Sequence, residues 1–268
     1  MVVFAGQGDA RRSMDLLWSG EERPRASGPG PKPGLSVDLI VDTAIAVADA
    51  EGMAALSMRA VGERLGRTAM ALYTYVPGKD ELVDLMYDRA LAELPTGYDL
   101  GAGWRAAATS WAEDSWAFYL RHPWVLQVSQ ARPVLGPNEY GVLETLLRVL
   151  TATGLPAPEV RRAVSTLSSV VRGAAQTVAE SRQAVRATGL TEEQWWYSRT
   201  EVLLKVAPDF AERFPTVAWL YTESAPAEPA EPADDCVPYL EQAARAAFEG
   251  GLALVLDGVD AAIARNGT

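Results

Sequence analysis

The amino-acid sequence predicts an all-α fold, and three observations predict it. Apolar residues recur at helical spacing through most of the 268 residues. Val/Ile alternation bounded by hairpin turns is missing. Glycines and prolines cut the periodic runs into lengths normal for globular helices. Apolar residues make up 49% of the chain and charged ones 22%, which is the balance of a folded protein rather than a disordered or fibrous one. The length suits a small domain joined to a larger one.

Residues 1–34 are rich in Gly, Pro and Arg, end in "SGPGPKPG" and show no sustained apolar period, so they read as a flexible arm. Arg11, Arg12, Arg23, Arg25 and Lys32 could enter a DNA minor groove, but Asp15, Glu21 and Glu22 dilute that charge and favour a tail without fixed role. From Ser36 the run "SVDLIVDTAIAVADAEG" begins with an N-cap candidate, places Leu39, Ile40, Ala44, Val47 and Ala48 on one helical face, and closes at Gly52. Ser57 caps a second, short helix ending at Gly66, and a third spans Ala69 to Tyr75. A fourth follows "VPGKDE" and runs to Leu94, with Leu82, Leu85, Met86 and Leu91 inward.

Beyond Gly103 the pattern stays helical: Trp104 to Arg121, a break at "HPW", Asn138 to Thr153, and a long segment from Ala157 to about Arg186. Thr191 with Gln194 three residues on suggests a capping box. "SAPAEPAEPADD" cannot propagate a helix or bury a core, so a mobile loop is expected at about 223–236 before a last helix from Pro238 to Arg265. His122, before Pro123 at a helix break, reads as a capping or surface residue.

Charge isolates one stretch. The net charge is formally −11, yet between Met53 and Lys79 four basic residues face one acid, Glu63. Two short helices crossing steeply need a small residue where they touch and a turn residue that tolerates positive φ, and Gly62 and Gly66 supply both. With Leu65, Leu72 and Val76 inward, Thr68, Ala69, Met70, Tyr73, Thr74 and Tyr75 are available to a major groove. Ser57, Arg59 and Lys79 flank them, suited to phosphate contact or, for Arg59, a guanine edge.

"LSMRAVGERLGRTAMALYTYVPGKDELVDLM" resembles the DNA-binding segment of tetracycline-repressor (TetR) family regulators, including the "LY.YV..K..L" run. The resemblance covers residues 35–94, and later segments resemble the helices of the family's ligand and dimer domain, residues 95–268. It implies a homodimeric regulator that binds a double-stranded DNA operator and is released by a small-molecule effector. Small residues crowding 157–187 and 238–265 fit helix pairing between two copies; packing within one chain is the plainer alternative. Matching "QARP" to the family's equivalent tract puts Val128 where a magnesium-binding histidine would stand, and collinear matching puts Trp111 and Leu146 where an asparagine and a glutamine would hold the drug, so a different, apolar or aromatic effector is expected.

Candidate effector contacts are the aromatic residues Trp104, Trp111, Trp116, Tyr119, Trp124 and Trp195, with Gln127, Gln130, Arg132 and Leu146, although an aromatic stripe at helical spacing is also how a plain core is built. No catalytic residues, cofactor or metal site are expected: one cysteine and one histidine exclude clustered metal spacing, and no nucleophile stands beside a base. A ligand-binding module without DNA binding and a helical enzyme are the alternatives. The single Cys236, the lack of a signal-like start and the absence of an 18-residue apolar run point to the cytoplasm, with no membrane partner.

Overall fold

The computed structural model describes residues 3–18, 34–223 and 238–266, and the fold is helical throughout apart from one pair of two-residue strands. The order is β1 (Val3–Phe4), α1 (Ala10–Trp18), α2 (Val37–Glu51), α3 (Met58–Leu65), α4 (Ala69–Tyr73) and α5 (Lys79–Leu91). There follow α6 (Trp104–Arg121), a 3-10 turn over Pro123–Gln127, β2 (Val128–Ser129), α7 (Pro137–Thr151) and α8 (Ala157–Thr188). The chain closes with α9 (Glu192–Val206), α10 (Phe210–Arg213), α11 (Pro215–Glu223) and α12 (Tyr239–Asn266).

Local chemistry explains the boundaries. Ser36 and Ser57 cap α2 and α3 by accepting from the amides of Leu39 and Ala60, at 3.2 and 3.1 Å. Thr191 and Gln194 form the complete capping box at α9. Pro123 cannot donate to α6, so the helix ends at His122 and tightens into a 3-10 turn. The face of α2 differs by one position from expectation. Val41 is buried and Leu39 is 41% exposed on a helix that packs against both α3 and α5.

By packing, residues 1–176 with 248–268 form one unit and residues 177–247 another. In the first, a continuous core joins Ile40, Val47, Val61, Leu72, Leu82 and Met86 of the α2–α5 head to Phe118, Trp124, Val125 and Val128 of the body. The head therefore shares its core with the start of the body rather than closing one of its own. In the second unit, Arg182 forks onto Glu241 with two 2.8 Å bonds, and α9, α10 and α11 bury none of their residues.

Residues 3–18, expected as part of a flexible arm, are instead a strand and a helix. β1 pairs in parallel with β2, and α1 packs on α5 with Ser13 and Leu17 buried. The apolar positions are too few to show a period by themselves, and the surfaces of α5 and α7 give them something to pack against. Residues 19–33, with Arg23, Arg25 and Lys32, and the expected loop beyond Glu223, with Cys236, lie outside the described residues.

Candidate DNA-reading face and effector body

The α3–α4 pair is positioned by its glycines. A Cβ on Gly62 would stand 2.8 Å from the Arg67 carbonyl oxygen, so no other residue allows the turn to approach α3 this closely. Gly66 caps α3 in the left-handed region at φ 62°. Thr68 then caps α4, and Leu72 and Val76 are fully buried beneath it. What remains outward is the set expected from sequence: Thr68, Met70, Tyr73, Thr74, Tyr75, Arg59 and Lys79 are all exposed, with Met70 at 74%. Ala69 is half-buried against the core and Ser57 half-buried at its cap. Arg59 Nε donates to Glu63 Oε1 at 2.8 Å on the same helix, so its guanidinium is held in place yet open to solvent. Arg64, in the last turn of α3, pairs with Glu51 of α2 at 2.6 Å.

The head meets the body through two polar joints. At the first, His122 is buried, with Nδ1 2.8 Å from Asp49 Oδ1 on α2 and Nε2 3.1 Å from Glu93 Oε2 just past α5. Trp124 Nε1 donates to the same Asp49 oxygen at 2.8 Å, and Arg121 pairs with Glu93. Burial pushes the His122 proton off, but the hydrogen bonds that the ring donates to Asp49 and Glu93 outweigh it and raise the pKa above the usual histidine value. His122 thus does end α6, but it is an interior bridge and not a surface residue. At the second joint, Asp88 of α5 accepts from the amides of Asn138 and Glu139 at 3.0 and 2.9 Å, and from Asn138 Nδ2 at 2.8 Å. Burial raises the Asp88 pKa against those hydrogen bonds.

The expected effector contacts divide between the core and the surface. Trp111, Trp116, Trp124 and Leu146 are buried; Trp104, Tyr119 and Gln127 are half-buried; Gln130 and Arg132 are exposed. Trp116 packs on Phe248 with ring centres 4.7 Å apart, and Trp124 belongs to the core shared with the head. Trp195 lies in the other unit, 45% exposed. Burial of a large ring within a shared core makes it a packing residue, and periodicity alone does not separate the two roles.

One polar cluster does assemble in the body. Gln130 lies beside the phenols of Tyr87 and Tyr119 and favours their ionised forms, and the Arg172 guanidinium of α8 does the same for Tyr119, its carbon 5.8 Å from that ring centre. Burial pushes both phenols up. Arg172 Nη2 donates to the carbonyls of Leu126 and Val128 at 2.6 and 2.9 Å, while Nη1 is buried without a hydrogen bond. Such a cluster can hold an acceptor oxygen. Tyr119 and Gln130 were legible from sequence; Tyr87 sits in a run read only as core, and Arg172 among small residues read as an interface.

Two open cavities lie elsewhere. One of about 820 Å³ runs between α7 and the start of α8, lined by Leu143, Leu147, Leu155, Val160 and Val164, with none of the expected contacts. The other, about 380 Å³ within the second unit, is lined by Trp196, Tyr197, Tyr221, Tyr239 and the carboxylates of Glu192 and Glu193. Among the described residues no group of three or more His, Cys, Asp and Glu side chains could hold a metal ion, and no helix is long and apolar enough to cross a membrane.

Comparison with known proteins places these features together. Residues 40–86 match the family described as bacterial regulatory proteins, tetR family, and residues 96–263 match the tetracyclin repressor-like C-terminal domain. The chain is 43% identical over 217 residues to the HTH-type transcriptional repressor DrrR1 of Streptomyces coeruleorubidus, spanning 81% of this chain and 78% of that one. Against an HTH-type transcriptional regulator of Saccharopolyspora erythraea it is 32% identical over 142 residues, 53% of this chain and 60% of the relative. Among solved structures, apo ActR from Streptomyces coelicolor superposes with a TM-score of 0.66 at 25% identity, covering 88% of this chain and all of ActR. ActR in complex with actinorhodin also gives 0.66 at 25% identity, covering 86% of this chain and 97% of ActR.

Proposed function

The chain belongs to the TetR family of bacterial transcriptional regulators, and we propose that it works as a homodimer that holds a palindromic operator and lets go when a small molecule enters its helical body. The observation that carries the DNA-reading half is the two-sided α4. Its inner side, Leu72 with the following Val76, is fully buried, while Met70, Tyr73 and Thr74 face solvent on a helix-turn-helix frame. Met70 offers an apolar contact to a thymine methyl, Thr74 a hydroxyl to a base edge, and Tyr73 and Lys79 phosphate contacts. Arg59, released from Glu63, reaches a guanine edge or a phosphate.

Two such heads match half-sites about one helical turn apart, roughly 34 to 36 Å. The small outward residues Ser165, Ser169 and Gly173 at four-residue spacing on α8, with exposed Gly250 and Leu254 on α12, support pairing with a second copy. An effector that prefers a different separation of the heads releases the operator, provided its affinities for the two arrangements differ by several kcal/mol. We assign it a flat, largely apolar molecule whose acceptor oxygen meets Arg172, Tyr119 and Gln130. The recorded complexes of ActR with actinorhodin and with (S)-DNPA support a small-molecule role for this body.

A mobility-shift titration with the DNA flanking its own gene, against random duplex of equal length, tests the reading. Binding at least about a hundredfold tighter to one flanking site is expected, within the usual span of specific over non-specific affinity. Equal affinity for both duplexes would refute it. Mass spectrometry of molecules co-purifying with the protein then identifies the effector.

A further inference from the structure

We propose that the segment from Val3 to Trp18 is a brace that holds the linking helix α5 in register with the body, and that operator affinity depends on it. The proposal rests on the reading of the chain as a DNA-binding regulator and adds to it a route by which head and body are coupled.

The geometry is continuous from one side to the other. On the body side, Arg172 grips the carbonyls of Leu126 and Val128, fixing the turn that leads into β2. β1 adds to β2 with Val3 opposite Val128 and Phe4 opposite Ser129. The chain then turns at Gly6, whose amide donates to Asp84 Oδ1 at 2.9 Å, and the Asp9 amide donates to Glu81 Oε1 at 3.2 Å. Both acceptors are on α5, and both are buried, at 2% and 7% exposure. α1 lies against the same helix with Leu17 buried. At its end Trp18 Nε1 donates to the Leu135 carbonyl at 3.0 Å, and its ring centre lies 6.4 Å from that of Tyr140 on α7.

Three carboxylates on one side of α5, Glu81, Asp84 and Asp88, thus accept from backbone amides, the first two from this segment and the third from the start of α7. A buried carboxylate without a donor is expensive, so while the segment is docked over Glu81 and Asp84, sliding α5 along its axis breaks their bonds to the Gly6 and Asp9 amides and is penalised. Docking and the position of α5 are therefore one equilibrium. A docked segment pre-orders the head, which then binds the operator without ordering α5 at that moment.

The test uses the full chain with Leu17→Asp or Ala5→Asp, which place a charge in the buried contact, Leu17→Met as the conservative control, and Trp18→Phe, which removes one hydrogen bond. Amide hydrogen exchange is followed by segment. For the two Asp variants, exchange about tenfold faster or more is expected in residues 79–91 and 125–135, with residues 160–170 unchanged. Trp18→Phe gives a smaller change in the same segments, and Leu17→Met none. Affinity for the DNA flanking its own gene falls about tenfold in the Asp variants, the effect of losing one or two buried hydrogen bonds to charged groups. Exchange that is unchanged in 79–91, exchange faster uniformly along the chain, or an operator affinity that holds or tightens would overturn the brace. If the unaltered chain binds no flanking DNA, the regulator reading fails, while the exchange comparison still decides whether the segment braces α5.

Discussion

Arg59 and His122 show how far one side chain determines behaviour here. Arg59 is tied to Glu63 but stands in solvent, so Arg59→Ala leaves the thermal unfolding midpoint nearly unchanged. If it reads a base, the same variant loses about ten- to a hundredfold in operator affinity at one position of the half-site. Binding across single-base operator variants measures this, and equal losses on random DNA would reassign Arg59 to phosphate. Lys79→Ala weakens all sequences alike and lowers the salt slope by about one. His122 behaves differently, because the folded protein holds its proton more tightly than the unfolded chain does. Its contribution is therefore complete below the ordinary histidine value of 6.5 and is lost as pH rises through the raised one. Urea unfolding at pH 6 and 9 should show lower stability at pH 9, and His122→Gln should flatten that difference. The buried acids Asp84, Asp88 and Glu139, pushed up by burial, contribute with the same sign, so the part of the pH dependence that disappears in His122→Gln is the histidine's own.

At the scale of elements, the helix-turn-helix is specified twice, by caps and by close approach. Ser57→Ala removes the cap of α3 at a cost of about 1 kcal/mol. Gly62→Ala forces a methyl group against the Arg67 carbonyl and costs about 1 to 3 kcal/mol, because backbone must move to admit it. Chemical denaturation reads both, and a neutral Gly62→Ala would mean the turn relaxes freely. α5 carries the other elemental lesson. Its apolar positions Leu82, Leu85, Met86 and Leu91 were plain from spacing, but it also buries Glu81, Asp84 and Asp88. No periodicity announces buried carboxylates; they are tolerated because amides from two distant segments converge on them. For the same reason α1 was invisible, since its partner surface is made by α5 and α7.

At the scale of the whole molecule, the proposed homodimer reads DNA only if its two heads stand at a defined separation. Placing a long charged side chain on the outward small-residue row, as in Ser169→Arg, should shift sedimentation at micromolar concentration from dimer to monomer. Operator affinity should fall with it, since each head alone retains only half the contacts. A variant that stays dimeric would move the interface to another face.

The amino-acid sequence by itself determined α2 to α9 and α12, the caps at Ser36, Ser57 and Thr191, the turn at Gly66 and the outward set on α4, because each follows from spacing and backbone chemistry within a few residues. The family assignment rests on that local run together with the match over residues 96–263. Tertiary structure alone decided the rest. It turned Trp124 and His122 into a joint with Asp49, gathered Tyr87, Tyr119, Gln130 and Arg172 from four separate segments, and folded residues 3–18 onto α5. A ring at helical spacing, a buried acid or a short apolar tail acquires its role from the surface it meets, and that surface is assembled from parts of the chain far apart in sequence.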